Sequence, residues 1–261
     1  MLAATRRSKK GVVRAPPEVV GKANQRPTGY NACRVTGKVV ERAAGVGQSG
    51  YGLPRIARVG VAAKKKSVRA AERNNRKRAW FWRKLKKIAH ERLKFIDESG
   101  VTTLFTRLFG RAAPGARVVE AVPKNYGQST SVVSLIGIGG VETTMVIAGA
   151  VDTLVFDAFC EHFLRPCLQA GDIVVLDNLG AHHASGIEET ARACKATVIW
   201  LPPYSPDFSP IEPMWAKLKT YLRTVKARTT EDLDRAVAAG LQLITENDCR
   251  SWFKHCGYKV A

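Results

Sequence analysis

The hydrophobic pattern changes character twice along the chain, and each stretch predicts a different kind of structure. Over residues 1–61 Gly, Pro, Arg and Ala dominate, no apolar period persists, and a poorly ordered segment is expected. Over residues 62–91 helix formers take over, with Trp80, Leu85 and Ile88 at roughly helical spacing among Lys and Arg. That pattern predicts a basic amphipathic helix, or a pair of them, acting as a linker. Its aromatics could pack on the rest of the chain or its cations could meet DNA, and the pattern leaves both open. From residue 92 the runs become short and strand-like: 93–97 (LKFID), 131–139 (SVVSLIGIG) and 143–151 (TTMVIAGAV), with Gly139 and Gly140 as a hairpin turn between the last two. The stretch TLFTRLFG, ending at Gly110, predicts a further short ribbon.

The second half alternates. Residues 153–169 carry Leu154, Phe156, Phe159, Phe163 and Leu164 in a helical period that Gly171 closes. Residues 172–178 (DIVVLDN) are almost wholly apolar, as expected of a strand buried on both faces. A helix over 185–196, a strand over 197–201, a rigid PPYSPDFSP loop and helices over 211–226, 230–245 and 246–256 complete the chain. The order β-β-β-α-β-α-β-α predicts an α/β fold with a mixed sheet. Its antiparallel hairpin edge joins a parallel half, with helices on both faces.

Charge changes this picture more than composition does. A chain that is 45% hydrophobic and 25% charged is globular, and no apolar run approaches the ~20 residues of a membrane span. A soluble protein without membrane partners is expected. The net charge of +20, however, is unevenly placed. Residues 1–90 hold 24 Lys and Arg against Glu18, Glu41 and Glu72, a net of +21, while residues 91–261 come to −1. An arm that meets a polyanion is the expectation, with a solvated basic tail as the alternative. Arg6, Arg7, Lys9 and Lys10 leave no room for the apolar core of a signal peptide. Six cysteines without a Cys-x-x-Cys pair fit a reducing compartment and no zinc site, and Cys160 and Cys167 read as buried thiols.

Three acids stand where a carboxylate is conspicuous. Asp97 and Asp177 each end an apolar strand, at the edge where α/β folds place their sites. If those strands are parallel neighbours, the two charges approach and repel unless a cation lies between them, which points to Mg²⁺ or Mn²⁺ on hard oxygen ligands. Singly, each has a simpler reading: Asp177 with Asn178 as a turn, Asp97 as a solvated group. Glu212 follows Ser209 and Pro210, the pattern of a capping box with Pro at the first helical position. The same loop, stiffened by Pro202, Pro203, Pro206 and Pro210, would also deliver a carboxylate with little freedom left to lose.

FIDESG, VVLDNLGAHH and LPPYSPDFSPIEPMWAKLK together resemble the catalytic half of mariner-type DDE transposases, in the branch encoded by bacterial insertion sequences. The similarity runs from about Lys64 to the C-terminus, and the Pro-Pro-Tyr-Ser-Pro-Asp block is its most specific part. The resemblance implies an RNase H-like fold over residues 92–261, with Asp97, Asp177 and Glu212 as catalytic, metal-holding triad. The 34 residues between the last two are similar to the spacing in that branch. It further implies two Mg²⁺ or Mn²⁺ ions, cleavage of transposon ends and their transfer into target DNA at TA. A homodimer at the synapsed ends and a bacterial, cytoplasmic, nucleoid-associated setting are also implied. Asn178 and His182 match the family's Asp-Asn…His pattern and would orient the metal surroundings or the DNA, with packing as the other reading of His182. Tyr204 and Trp215 read as packing residues. DNA contact is expected from Lys64, Lys65, Lys66, Arg69, Arg76, Lys77, Arg78, Arg83 and Lys84.

The family's paired helix-turn-helix modules are not recognisable in residues 1–61, and Ser209 stands where the family commonly has Asn. A truncated or frameshifted reading frame is therefore expected. The competing functions are a catalytically idle DNA-binding remnant that regulates transposition and, on the same fold, a structure-selective nuclease.

Overall fold

The structure, a computed structural model, describes residues 13–14, 70–86, 88–123, 129–177 and 185–260. Lys64, Lys65, Lys66, Arg69, Asn178 and His182 lie outside them. The strands are β1 (Val13–Arg14), β2 (Leu93–Thr102), β3 (Ser129–Gly137), β4 (Gly140–Ala148), β5 (Ile173–Leu176) and β6 (Thr197–Trp200). The helices are α1 (Asn75–Leu85), α2 (Thr153–Phe159), α3 (Ser185–Ala193), α4 (Ile211–Val225), α5 (Thr230–Gln242) and α6 (Glu246–His255). The sheet order is β1-β4-β3-β2-β5-β6, so the predicted mixed sheet forms. β2, β3 and β4 are antiparallel neighbours, and β5 and β6 continue from β2 in parallel. The two-residue β1 adds a parallel edge beside β4 that the sequence pattern did not predict.

Strand alternation sorts the core into two layers, one on each face of the sheet. On one face Leu93, Phe95, Ile173, Val175 and Ile199 pack with residues of α1, α4, α5 and α6. On the other Ile96, Val133, Leu135, Val174 and Leu176 pack with Val155, Phe156 and Phe159 of α2 and Ile187 of α3. α1, read from sequence as part of a linker, thus contributes Phe81 and Leu85 to the core. It begins at Asn74, whose side chain accepts from the Lys77 N–H at 3.0 Å.

A buried lysine sits inside β2. Lys94 is buried, and its ammonium pairs with Glu142, lies 3.2 Å from Asp172 and donates to the Cys167 carbonyl at 2.8 Å. Three partners compensate the loss of water that would otherwise exclude a lysine from this position.

Three expectations need correction. β2 runs to Thr102 instead of ending at Asp97, because β3 offers a hydrogen-bonding edge to Glu98, Ser99 and Gly100, residues whose composition reads as a loop. The stretch TLFTRLFG forms no ribbon: Arg228 takes the carbonyls of Thr103 and Phe105, and Leu108 and Phe109 are exposed. The helix that starts at Thr153 keeps α-helical form only to Phe159, continuing as a π turn over Cys160–Leu164 and a 3-10 turn over Arg165–Cys167. Pro166 explains the last step, since it has no N–H to carry the ladder further.

Candidate active site

The parallel pairing of β2 with β5 decides which acids meet. Leu93 lies opposite Ile173 and Phe95 opposite Val175, so the same register carried two residues on sets Asp97 level with Asp177. Asp97 is in mid-strand, at the point where β2 parts from β5 and continues against β3 alone. Its alternation with Phe95 turns it toward the face covered by α4. Glu212 comes from the first turn of α4. Asp97, Asp177 and Glu212 line one cleft of about 430 Å³, together with Ile96, Leu201, Pro202, Pro203, Tyr204, Ser205, Pro206 and Ser209.

The capping role read for Ser209 is absent. Pro210 is the N-cap of α4 and no side chain caps it; the Ser209 side chain is buried and only its carbonyl accepts from the Glu212 N–H, at 3.3 Å. The 3-10 turn Pro206–Phe208 shifts the helix start by one residue, which takes Ser209 out of capping position. Glu212 therefore faces the cleft without the reciprocal bond that a capping box demands.

Trp215, read as packing, has a second role. It is buried on α4, three residues after Glu212, and its indole Nε1–H donates to Asp97 Oδ2 at 2.9 Å. One face of α4 thus brings a carboxylate to the cleft and a donor to the opposite carboxylate. The spacing Glu-x-x-Trp in IEPMWAKLK was the available signal, but its meaning depends on what faces the helix. Tyr204 is exposed at the cleft rim instead of packed, with a left-handed φ of 54°.

The electrostatics of the cleft are those of crowded acids. Burial pushes the Asp97 carboxyl up to about 7; the Glu98 N–H and Trp215 oppose this, and the charges of Glu212 and Asp177 add to it. Glu212 is also raised, by burial first, with Lys219 counteracting and Asp177 reinforcing. The donor set is all carboxylate oxygen, the chemistry that suits Mg²⁺ or Mn²⁺. A divalent cation would relieve both the burial and the like-charge penalty at Asp97. Among the described residues no three His, Cys, Asp or Glu groups are close enough to form a ready-made metal cage, so the carboxylates share a cleft without a preformed ligand shell.

Among the described basic residues expected at DNA, Arg76, Lys77, Arg83 and Lys84 are exposed on α1. The Lys84 ammonium lies 3.9 Å over the exposed Trp80 ring. Arg78 is different: it is buried and bound to Asp207.

Residues 92–234 match the family model described as DDE superfamily endonuclease, and the chain belongs to that family. No curated protein matches it. Among solved structures it is similar to the Mos1 transposase paired-end complex with left transposon end, at 17% identity and a TM-score of 0.61, covering 77% of this chain and 65% of that one. The Mos1 strand transfer complex gives 17%, 0.60, 77% and 65%. The mariner Mos1 paired end complex with Mg gives 19%, 0.57, 78% and 67%. At these identities the likeness is one of fold, and it agrees with the RNase H-like sheet implied by the sequence motifs. The chain spans 65% of the length of the first of these structures. Among the described residues no helix is long and apolar enough to cross a membrane.

Proposed function

We propose that this chain is a DNA transposase that cuts transposon ends and joins them to target DNA by in-line phosphoryl transfer, with Asp97, Asp177 and Glu212 holding Mg²⁺ or Mn²⁺. The observation that carries the proposal is that the three acids, from β2, the end of β5 and the start of α4, line one cleft within the segment that matches the endonuclease family. Two bound cations would supply the charge that stabilises the attacking and leaving oxygens at phosphorus.

The residues divide the remaining work. Asp97 and Asp177 approach from adjacent strands and Glu212 from a helix start, so the scissile phosphate meets carboxylates from two sides of the cleft. Trp215 occupies one oxygen of Asp97 and fixes the carboxylate's orientation before any ligand arrives. The exposed cations of α1 hold phosphates of the DNA backbone. Asn178 and His182 orient the DNA or the metal surroundings, and two copies of the chain act together at paired ends.

The test uses the full chain with Mn²⁺ and supercoiled plasmid, beside Asp177→Ala. Nicking by the wild type that falls at least about a hundredfold in the variant supports the reading. Equal nicking by both, or none by either, removes it.

A further inference from the structure

Arg78 lies on the buried side of α1, in line with Phe81 and Leu85. Its guanidinium forms a two-pronged pair with Asp207, Nη1 to Oδ1 at 2.9 Å and Nη2 to Oδ2 at 2.6 Å, and its Cζ lies over the Phe208 ring, 3.6 Å from the ring centre. Arg73 adds a longer contact to the same carboxylate, at 3.4 Å. Phe208 is held from other sides as well. Phe81 stacks on it at 5.6 Å, Trp82 meets it edge-on at 5.1 Å, and the Tyr258 hydroxyl donates to its carbonyl at 2.7 Å. The turn gripped in this way, Pro206–Phe208, sits between the cleft-lining Ser205 and Ser209, and the Ser209 carbonyl accepts from the Glu212 N–H.

We propose that Arg78 is a positioning residue of the cleft and not a phosphate contact: through Asp207 and Phe208 it fixes the turn that starts α4, and with it Glu212. This rests on the reading of Glu212 as a metal-holding carboxylate. Planarity is essential, because only a guanidinium can fork onto a carboxylate and stack on a ring at once. The same helix presents Arg76, Lys77, Arg83 and Lys84 outward, so the expected phosphate contacts and the brace share one helix.

The discriminating variants are Arg78→Lys, which keeps the charge and loses the fork, and Asp207→Asn, which alters a half-exposed side chain. In the full chain, kcat and KM for plasmid nicking with Mn²⁺, the salt dependence of DNA binding, and amide hydrogen exchange over residues 205–215 are measured. A brace predicts that each variant loses about tenfold or more in kcat, with KM and the salt slope unchanged. It also predicts faster exchange at Phe208, Ser209 and Glu212. Wild-type kcat and exchange in Arg78→Lys would overturn the proposal, as would an effect confined to KM and the salt slope. If Arg78→Lys does not fold, Asp207→Asn decides alone. If wild type and Asp177→Ala nick DNA equally, the functional reading falls; hydrogen exchange needs no catalysis, and unchanged exchange then rejects the brace by itself.

Discussion

Asp97 concentrates the conflict within the cleft: a carboxyl held among apolar neighbours, bonded by Trp215 and repelled by Glu212 and Asp177. Its folded-state value of about 7 lies above the ordinary 3.8, so between these values the folded protein binds the extra proton. The stability this group provides is complete below pH 3.8 and is lost as the pH rises through 7. Asp97→Asn, which stays neutral and still offers Trp215 an acceptor, is therefore expected to raise the unfolding midpoint at pH 8 in metal-free buffer and to change it little at pH 4. The ceiling of the effect is about 4 kcal/mol, reduced by relaxation and water entry. Denaturant titrations at both pH values check it, and an equal shift at the two would contradict the assignment. The positions of Asp97, Asp177 and Glu212 were legible as conspicuous acids. The roles of Trp215 and Arg78 were not, since each is defined by a partner more than a hundred residues away.

At the scale of elements, the starts of α3, α4, α5 and α6 followed the pattern closely, whereas the helix expected over 153–169 leaves α-helical form at Cys160. α4 was expected over 211–226 and forms over Ile211–Val225. α6 starts with a capping box in which the Thr245 hydroxyl accepts from the Asp248 N–H at 3.2 Å and Asp248 accepts from the Thr245 N–H at 2.8 Å. Thr245→Ala is expected to lower stability by about 1 kcal/mol in chemical denaturation. Where two helices press together, local preference is misleading. Gly240 lies inside α5, and a Cβ there would stand 2.6 Å from Leu218 Cδ1 and 2.8 Å from the Tyr221 ring of α4. Gly240→Ala would gain up to about 1 kcal/mol in helix propensity but overpack a contact at a cost of about 1–3 kcal/mol. A net lowering of the melting temperature is the outcome expected, and a rise would show that α4 and α5 separate easily.

For the whole molecule, the +20 charge resolves into a basic segment and a near-neutral body, and α1 belongs to both, with Arg76, Lys77, Arg83 and Lys84 outside and Phe81 and Leu85 within. DNA affinity is expected to fall steeply with salt, and Arg83→Ala with Lys84→Ala to lower the slope of log K against log salt by about two. Fluorescence anisotropy over a salt series measures it; an unchanged slope would remove this face from the DNA contact. The sequence by itself determined the fold class and most of the order of elements, and it marked the three acids as candidates, because period, caps and turn residues act over a few positions. Only the tertiary structure decided that β2 and β5 are parallel neighbours in a register that levels Asp97 with Asp177. It also decided that β2 outlasts its apolar run, that Ser209 leaves the cap, and that a basic residue on an amphipathic helix faces inward. The strand pairing, the length of β2 and the inward-facing Arg78 turn on the energy of a group in contact with a distant partner, and no local pattern encodes who that partner will be.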